Sequence, residues 1–239
     1  MDFAGRTVLV TGGTKGIGRV IADTFARAGA DVVVCARSEP ADPPPGVFVP
    51  TDVRDPAACR ALVATVLERF GRLDVLVNNA GGSPDADAAT VSPRFVEKIV
   101  ALNLLAPFYV AQAANEVMRT QETGGVIVNI GSVSGIDPQP GTAAYSAAKA
   151  GLRTLTSALA LEWGPAVRVN HITAGLIRTE TTTYTEQTAA LIPLGRLATP
   201  ADIASACLYL ASDAAGYVTG ADLAVHGGGE IPARYLMNP

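Results

Sequence analysis

Thr7-Val8-Leu9-Val10-Thr11-Gly12-Gly13-Thr14-Lys15-Gly16-Ile17-Gly18 is the stretch on which the fold turns. The run Thr7–Val10 is short, apolar and β-branched, as a strand buried on both faces should be. Glycines at 12, 16 and 18 then allow a tight turn, close approach of the backbone to a pyrophosphate, and snug packing of the next helix on the sheet. That helix, expected over Ile17–Ala28, points its positive end at the anion. The spacing TGxxxGxG differs from the more general GxGxxG. Its place between a strand and a helix separates it from a merely structural glycine turn.

Outward from this stretch the same alternation recurs. Further strands are expected at Asp31–Ala36, Gly46–Val49, Leu73–Asn78, Gly125–Ile130, Val167–Ile172 and Asp222–Val225. Helix starts are marked by Asp55-Pro56, Ser92-Pro93 and Thr199-Pro200, and Gly71 is a stop signal. Between the second and third strands lies Arg37-Ser38-Glu39-Pro40-Ala41-Asp42-Pro43-Pro44-Pro45, too proline-dense for a helix interior, so an irregular loop is expected. The predicted fold is α/β: a single Rossmann-type, doubly wound parallel sheet of about seven strands with helices on both faces, spanning residues 1–239. With 49% hydrophobic residues, the 239-residue chain can bury the core that such a domain needs.

Composition narrows the function. A net charge of −4 argues against a nucleic-acid binder, which needs a basic surface to displace counterions. Cys35, Cys59 and Cys207 are far apart in apolar segments and suit reduced core thiols, and no metal-ligating pattern occurs. The amino terminus shows no signal-peptide pattern, and no apolar stretch reads as long enough to cross a bilayer. A cytoplasmic protein without a membrane partner is expected.

Chemistry enters with Ser132, Tyr145 and Lys149. Tyr145 and Lys149 stand four apart in an alanine-rich helical segment and so share a face. A phenol with an ordinary pKa near ~10 is a weak acid–base group at neutral pH, and a nearby ammonium is expected to lower it. Ser132 follows the Gly125–Ile130 strand, at the carboxyl edge where doubly wound sheets bind ligands. Where a carboxylate would bind an adenosine ribose, the chain has Ala36-Arg37. Arg37, with Lys15 from the glycine turn, favours a 2′-phosphate and hence NADP(H), with NAD(H) as the open alternative.

From Thr11 to Gly227-Gly228-Gly229 the chain resembles the short-chain dehydrogenase/reductase family, through TGGTKGIG at 11–18, Asp52-Val53, Asn78-Asn79-Ala80-Gly81, Asn103, Ser132, Tyr145-x-x-x-Lys149 and Thr179. The resemblance implies a cofactor site of Gly12, Thr14, Lys15, Gly16, Ile17, Gly18, Arg37, Asp52, Val53, Asn79, Ala80, Gly81, Tyr145, Lys149, Gly175, Ile177 and Thr179. Asp52 and Val53 would border the adenine, and Thr179 the carboxamide. It implies a tetrad in which Tyr145 exchanges the proton, Ser132 positions the substrate oxygen, Lys149 binds the ribose and tunes Tyr145, and Asn103 holds a relay water.

Two departures stand out. Ala174-Gly175 replaces the usual Pro-Gly, and His226 stands where an aspartate is common. His226 is read as a surface or packing residue and His171 as structural. Arg178–Leu191, with Thr179, Thr181, Thr182, Thr183, Thr185 and Tyr184, is expected to cover the substrate. The resemblance further implies a homotetramer or homodimer joined through long helices at Ser92–Arg119 and Tyr145–Trp163. The expected activity is NADP(H)-dependent hydride transfer to a carbonyl or from a secondary alcohol, 3-oxoacyl thioesters or similar ketones leading. The alternatives are an NAD-dependent dehydrogenase of a sugar, steroid or other cyclic alcohol, and a nicotinamide-binding redox sensor without turnover.

Overall fold

The computed structural model describes residues 1–180 and 184–229. β1 (Thr7–Thr11), α1 (Gly16–Arg27), β2 (Asp31–Ala36) and β3 (Val47–Pro50) build the first half of the sheet. Then come α2 (Pro56–Phe70), β4 (Val75–Asn78), α3 (Pro93–Val100), α4 (Ala106–Met118), β5 (Gly125–Ile130) and α5 (Ala143–Trp163). β6 (Val167–Ala174), the short α6 (Glu186–Ala190), α7 (Pro200–Ala211) and β7 (Asp222–Val225) complete it. The strands lie in the order β3-β2-β1-β4-β5-β6-β7, and every pair is parallel. The order reverses between β1 and β4, so a crevice opens beyond their carboxyl ends.

Alternate residues of each strand feed two cores. On one face, Val8, Val10, Val34, Val77 and Val128 pack with Ile21 and Phe25 of α1 and Ile203 and Leu210 of α7. On the other, Leu9, Val33, Leu76 and Ile127 pack with Leu62 and Val66 of α2, Val110 of α4 and Leu159 of α5. Cys35, Cys59 and Cys207 are free and buried, in keeping with their reading as core thiols. Burial holds the Cys59 thiol up at about 11, so it stays protonated.

The 37–46 connection contains no helix, as its prolines dictate. Asp55 Oδ1 accepts from the Ala57 N–H at 2.8 Å to start α2, and Gly71 ends it in the left-handed region. Two strand boundaries move by two residues. β4 starts at Val75 rather than Leu73, because the Leu73 amide and carbonyl pair with the Gln121 side chain, both at 2.9 Å, instead of a neighbouring strand. β6 runs on to Ala174 because β7 pairs with it in register up to Ala174↔Val225.

The expected single helix over Ser92–Arg119 is two α-helices joined by a π-helical turn at Ala101–Leu105. Against the reading of the sequence, this rod, Pro93–Met118, is long and apolar enough to cross a bilayer by length and composition. Its apolar side covers the sheet through Val110, Ala111, Ala114 and Met118, while Arg94, Glu97, Lys98 and Glu116 are exposed. It is built as a layer of this domain.

Candidate active site

The glycine turn behaves as its spacing requires. Gly12 and Gly16 have φ of 64° and 54°, in the left-handed region. A Cβ on Gly18 would run into the Gly12 carbonyl and the Asn79 amide, so α1 sits against the turn only without a side chain there. Thr11 locks the crossing between β1 and β4: its hydroxyl accepts the Asn79 and Ala80 N–H groups, each at 3.0 Å. Asn79 Nδ2 donates to the Thr11 and Gly12 carbonyls at 3.0 and 3.2 Å. The threonine's clasp was not legible in the sequence, since the partner lies 68 residues away.

Beside the turn is a cavity of about 430 Å³, walled by the turn itself, Arg37, Asp52, Val53 and the Asn79-Ala80-Gly81 segment. A broader groove of about 1150 Å³ adjoins it, and Lys15, Arg19, Arg37 and Arg178 line that groove with Asp23 and Asp42. Arg54, not singled out from the sequence, grips Asp52 with Nε–Oδ1 at 2.9 Å and Nη2–Oδ2 at 2.6 Å. Its guanidinium, helped by Arg37, pulls the Asp52 carboxyl down to about 2.

A second cavity, about 350 Å³, holds Ser132, Tyr145, Lys149, Gly175, Ile177 and Thr179. Ile17, Asn79, Gly81 and Thr179 line both cavities, so the two form one cleft along the switch point. All the expected cofactor and proton-transfer residues border this cleft except Asn103, which is fully buried behind it. From the π-helical turn, Asn103 Oδ1 accepts the Gly82 N–H at 2.9 Å, and its Nδ2 donates to the Gly82 and Ile99 carbonyls at 3.0 Å. A Cβ on Gly81 would lie 2.8 Å from Asn103 Oδ1 and 3.3 Å from Lys149 Nζ. The loop after β4 is therefore pinned by Asn103 and leaves no room for a side chain at Gly81.

Tyr145 and Lys149 project from one face of α5. The ammonium lies 5.7 Å from the phenol ring centroid and donates to the Ile130 carbonyl at 2.8 Å. Burial pushes Lys149 down to about 8. The Tyr145 hydroxyl hydrogen-bonds Ser132, whose Oγ also accepts the Ser134 N–H at 3.1 Å. Contrary to expectation, the phenol is shifted upward. Burial raises it, the Ser132 bond opposes that, and the nearby Tyr184 phenol adds to the rise. In this environment Tyr145 is held as a neutral donor at physiological pH.

In the segment expected to cover the substrate, Arg178 Nη2 meets Glu186 Oε1 of α6 at 2.8 Å. Thr181, Thr182 and Thr183 lie outside the described residues. His226 packs rather than facing substrate: its Nδ1 accepts the Gly228 N–H at 3.2 Å, and its backbone fills the space beside Gly175. Among the described residues there is no His, Cys, Asp or Glu cluster that could hold a metal.

The family model described as enoyl-(acyl carrier protein) reductase matches residues 12–230. The 3alpha-hydroxysteroid dehydrogenase of Mediterraneibacter gnavus is 38% identical over 245 residues, covering 95% of this chain and 98% of that protein. The 3-oxoacyl-(acyl-carrier-protein) reductase FabG of Escherichia coli K12 is 36% identical over 95% of this chain and 98% of its own. The structure of the aldohexose dehydrogenase of Thermoplasma acidophilum superposes with a TM-score of 0.89 at 28% identity, covering 94% of each chain. These relatives are named as dehydrogenases and reductases, which disfavours the reading as a sensor without turnover. The chain is an oxidoreductase acting on CH–OH or C=O groups with a nicotinamide cofactor, and it belongs to the short-chain dehydrogenase/reductase family.

Proposed function

We propose that this protein is an NADP(H)-dependent reductase of a ketone such as a 3-oxoacyl thioester, or a dehydrogenase of the corresponding alcohol. The observation that carries the reading is the convergence of Ser132, Tyr145 and Lys149 in one cavity continuous with the glycine cradle. The nicotinamide group, when bound, supplies or takes the hydride. The cradle fits its pyrophosphate, since the cavity is walled by the glycine turn and by Gly16, Ile17 and Gly18 at the positive end of α1.

The remaining chemistry falls to this chain. Ser132 holds the substrate oxygen, and Tyr145 donates its proton there as the alkoxide forms. Lys149, fixed on the Ile130 carbonyl, keeps a positive charge beside the phenol and stabilises the phenolate left behind. Asn103 holds the loop at Gly81 and Gly82 and, in this reading, a water that returns the proton. Preference for the 2′-phosphate rests on Lys15 and Arg37 lining the same outer groove. A cytoplasmic location is supported by three buried free thiols.

Replacing Tyr145 by Phe is expected to cut carbonyl-dependent NADPH oxidation by about a hundredfold or more while cofactor binding persists. Undiminished turnover across a panel of 3-oxoacyl thioesters, cyclic ketones, quinones and sugars would refute the assigned donor. Removing both cations, Lys15→Ala with Arg37→Ala, is expected to weaken NADPH binding by roughly ten- to a hundredfold and NADH binding far less. Equal losses for both cofactors in a fluorescence titration would refute the 2′-phosphate assignment.

A second substrate class has an observation of its own. The substrate cavity is lined by Ser83, Asp85, Ser134, Thr142 and Tyr184 besides Ser132 and Tyr145. A carboxylate and several hydroxyls suit a polyhydroxylated cyclic alcohol, and one similar structure is an aldohexose dehydrogenase. The same panel separates the classes: an Asp85→Ala loss confined to sugars favours this second reading.

A further inference from the structure

Directly behind the cleft lies a polar cluster that the proton-transfer reading does not use. His171, in the middle of β6, is 2% exposed, and its Nδ1 is 2.8 Å from Asp222 Oδ1 on β7. The same oxygen accepts the Thr173 hydroxyl at 2.7 Å. The other carboxylate oxygen accepts Arg153 Nε at 2.8 Å. Arg153 is one turn beyond Lys149 on α5, with about half of its side chain exposed at 51%. One carboxylate thus ties the helix that carries Tyr145 and Lys149 to the two strands behind the site.

The imidazole is held on one side only. Its Nε2 is buried and has no hydrogen-bond partner among the described residues. The ring edge bearing Nε2 and Cε1 occupies the space that a Cβ on Gly131 would take. Gly131 forms the corner of the site: its N–H donates to the Ile172 carbonyl at 2.8 Å, Ser132 follows it, and the Ile130 carbonyl before it holds Lys149. An aliphatic side chain would bury without leaving a nitrogen unsatisfied, so a polar ring here costs stability for a reason other than packing. The charged groups facing the ring are Asp222 on β7 and Lys149 and Arg153 on α5. Burial opposes its protonation more than Asp222 favours it, leaving it neutral at neutral pH.

We propose that His171 is a positioning residue for the proton-transfer site, braced by Asp222 and Arg153 as a wedge under Gly131. In this arrangement Ser132 and the Ile130 carbonyl meet Tyr145 and Lys149 at the right height. The inference rests on the proton-transfer reading proposed above. A displaced corner moves the Ser132 hydroxyl and the Lys149 anchor together, which slows the chemical step without touching the glycine cradle.

The chain has two histidines, so the imidazole signals of the intact protein resolve by nitrogen NMR, with His226→Gln assigning them. His171 is expected in a single neutral tautomer protonated at Nδ1 at neutral pH. A His171 ring that is charged at neutral pH, or that carries its proton on Nε2, would overturn the brace. In turnover of the substrate found in the panel, Arg153→Leu and His171→Val are expected to lower kcat by roughly tenfold with NADPH affinity within about twofold. Arg153→Lys and His171→Gln, which keep a donor toward Asp222, are expected to restore most of it. Because Arg153 is half exposed, its variant folds even where a core change at His171 does not. An unchanged kcat in folded Arg153→Leu and His171→Val, with Tyr145→Phe inactive, would sink this inference alone. An active Tyr145→Phe would sink the site reading on which it stands.

Discussion

Lys149 shows how one residue serves chemistry at the expense of stability. Its folded-state pKa, about 8, lies below that of an exposed lysine, so above pH 8 the unfolded chain binds the extra proton. Below about 8 the full penalty of burying the ammonium is present, and it is relieved as pH rises toward the ordinary lysine range. Lys149→Met should therefore be inactive yet more stable by roughly 1–2 kcal/mol at neutral pH, once the orphaned Ile130 carbonyl is counted. Denaturant melts at neutral pH and near pH 10 check this: the gain should shrink at the higher pH, and a constant gain contradicts it. For the same reason kcat/KM for carbonyl reduction should fall as pH rises through about 8, and Lys149→Arg should abolish that limb. The residues of this site could be named from their spacing. Their shifts could not, because the upward displacement of Tyr145 depends on burial and on Tyr184, which folding brings in from a distant loop.

Among the elements, the turn between β1 and α1 is the most constrained. Gly18→Ala would press its methyl against the Gly12 carbonyl and the Asn79 amide. It should weaken NADPH binding by about tenfold or more and lower the melting temperature by several degrees, roughly the effect of 1–3 kcal/mol of overpacking. Calorimetry with and without cofactor reads both effects, and an unaffected melting temperature would mean that the turn can yield. The glycines, prolines and caps of these elements were visible in the chain because each acts within a few residues. The π-helical turn at Ala101–Leu105 was not: nothing in Ala-Leu-Asn-Leu-Leu marks it locally. It is tied down by the bonds from Asn103 to Gly82, 21 residues earlier in the chain. The start of β4 moved for a similar reason, with Gln121 taking the Leu73 amide and carbonyl.

For the whole molecule, the outer face of the long helices bears on assembly. Leu161, 86% exposed on α5, and Leu105 at the end of the π-helical turn leave apolar side chains uncovered on the helices expected to join subunits. Leu161→Glu is expected to shift the protein to a smaller species in sedimentation, with the monomer fold retained. An unchanged mass would place any interface elsewhere. The order of strands and helices, the glycine turn after β1 and the shared face of the Tyr-Lys pair were determined by the sequence alone, because short-range periodicity, glycine geometry and helical spacing act locally and are written consecutively. Only the tertiary structure decided that Thr11 clasps Asn79 and that Asp222 joins His171 to Arg153 beside Ser132. Those contacts join segments tens of residues apart, and the low dielectric around them, which sets their strength, exists only once the two cores have closed over the sheet.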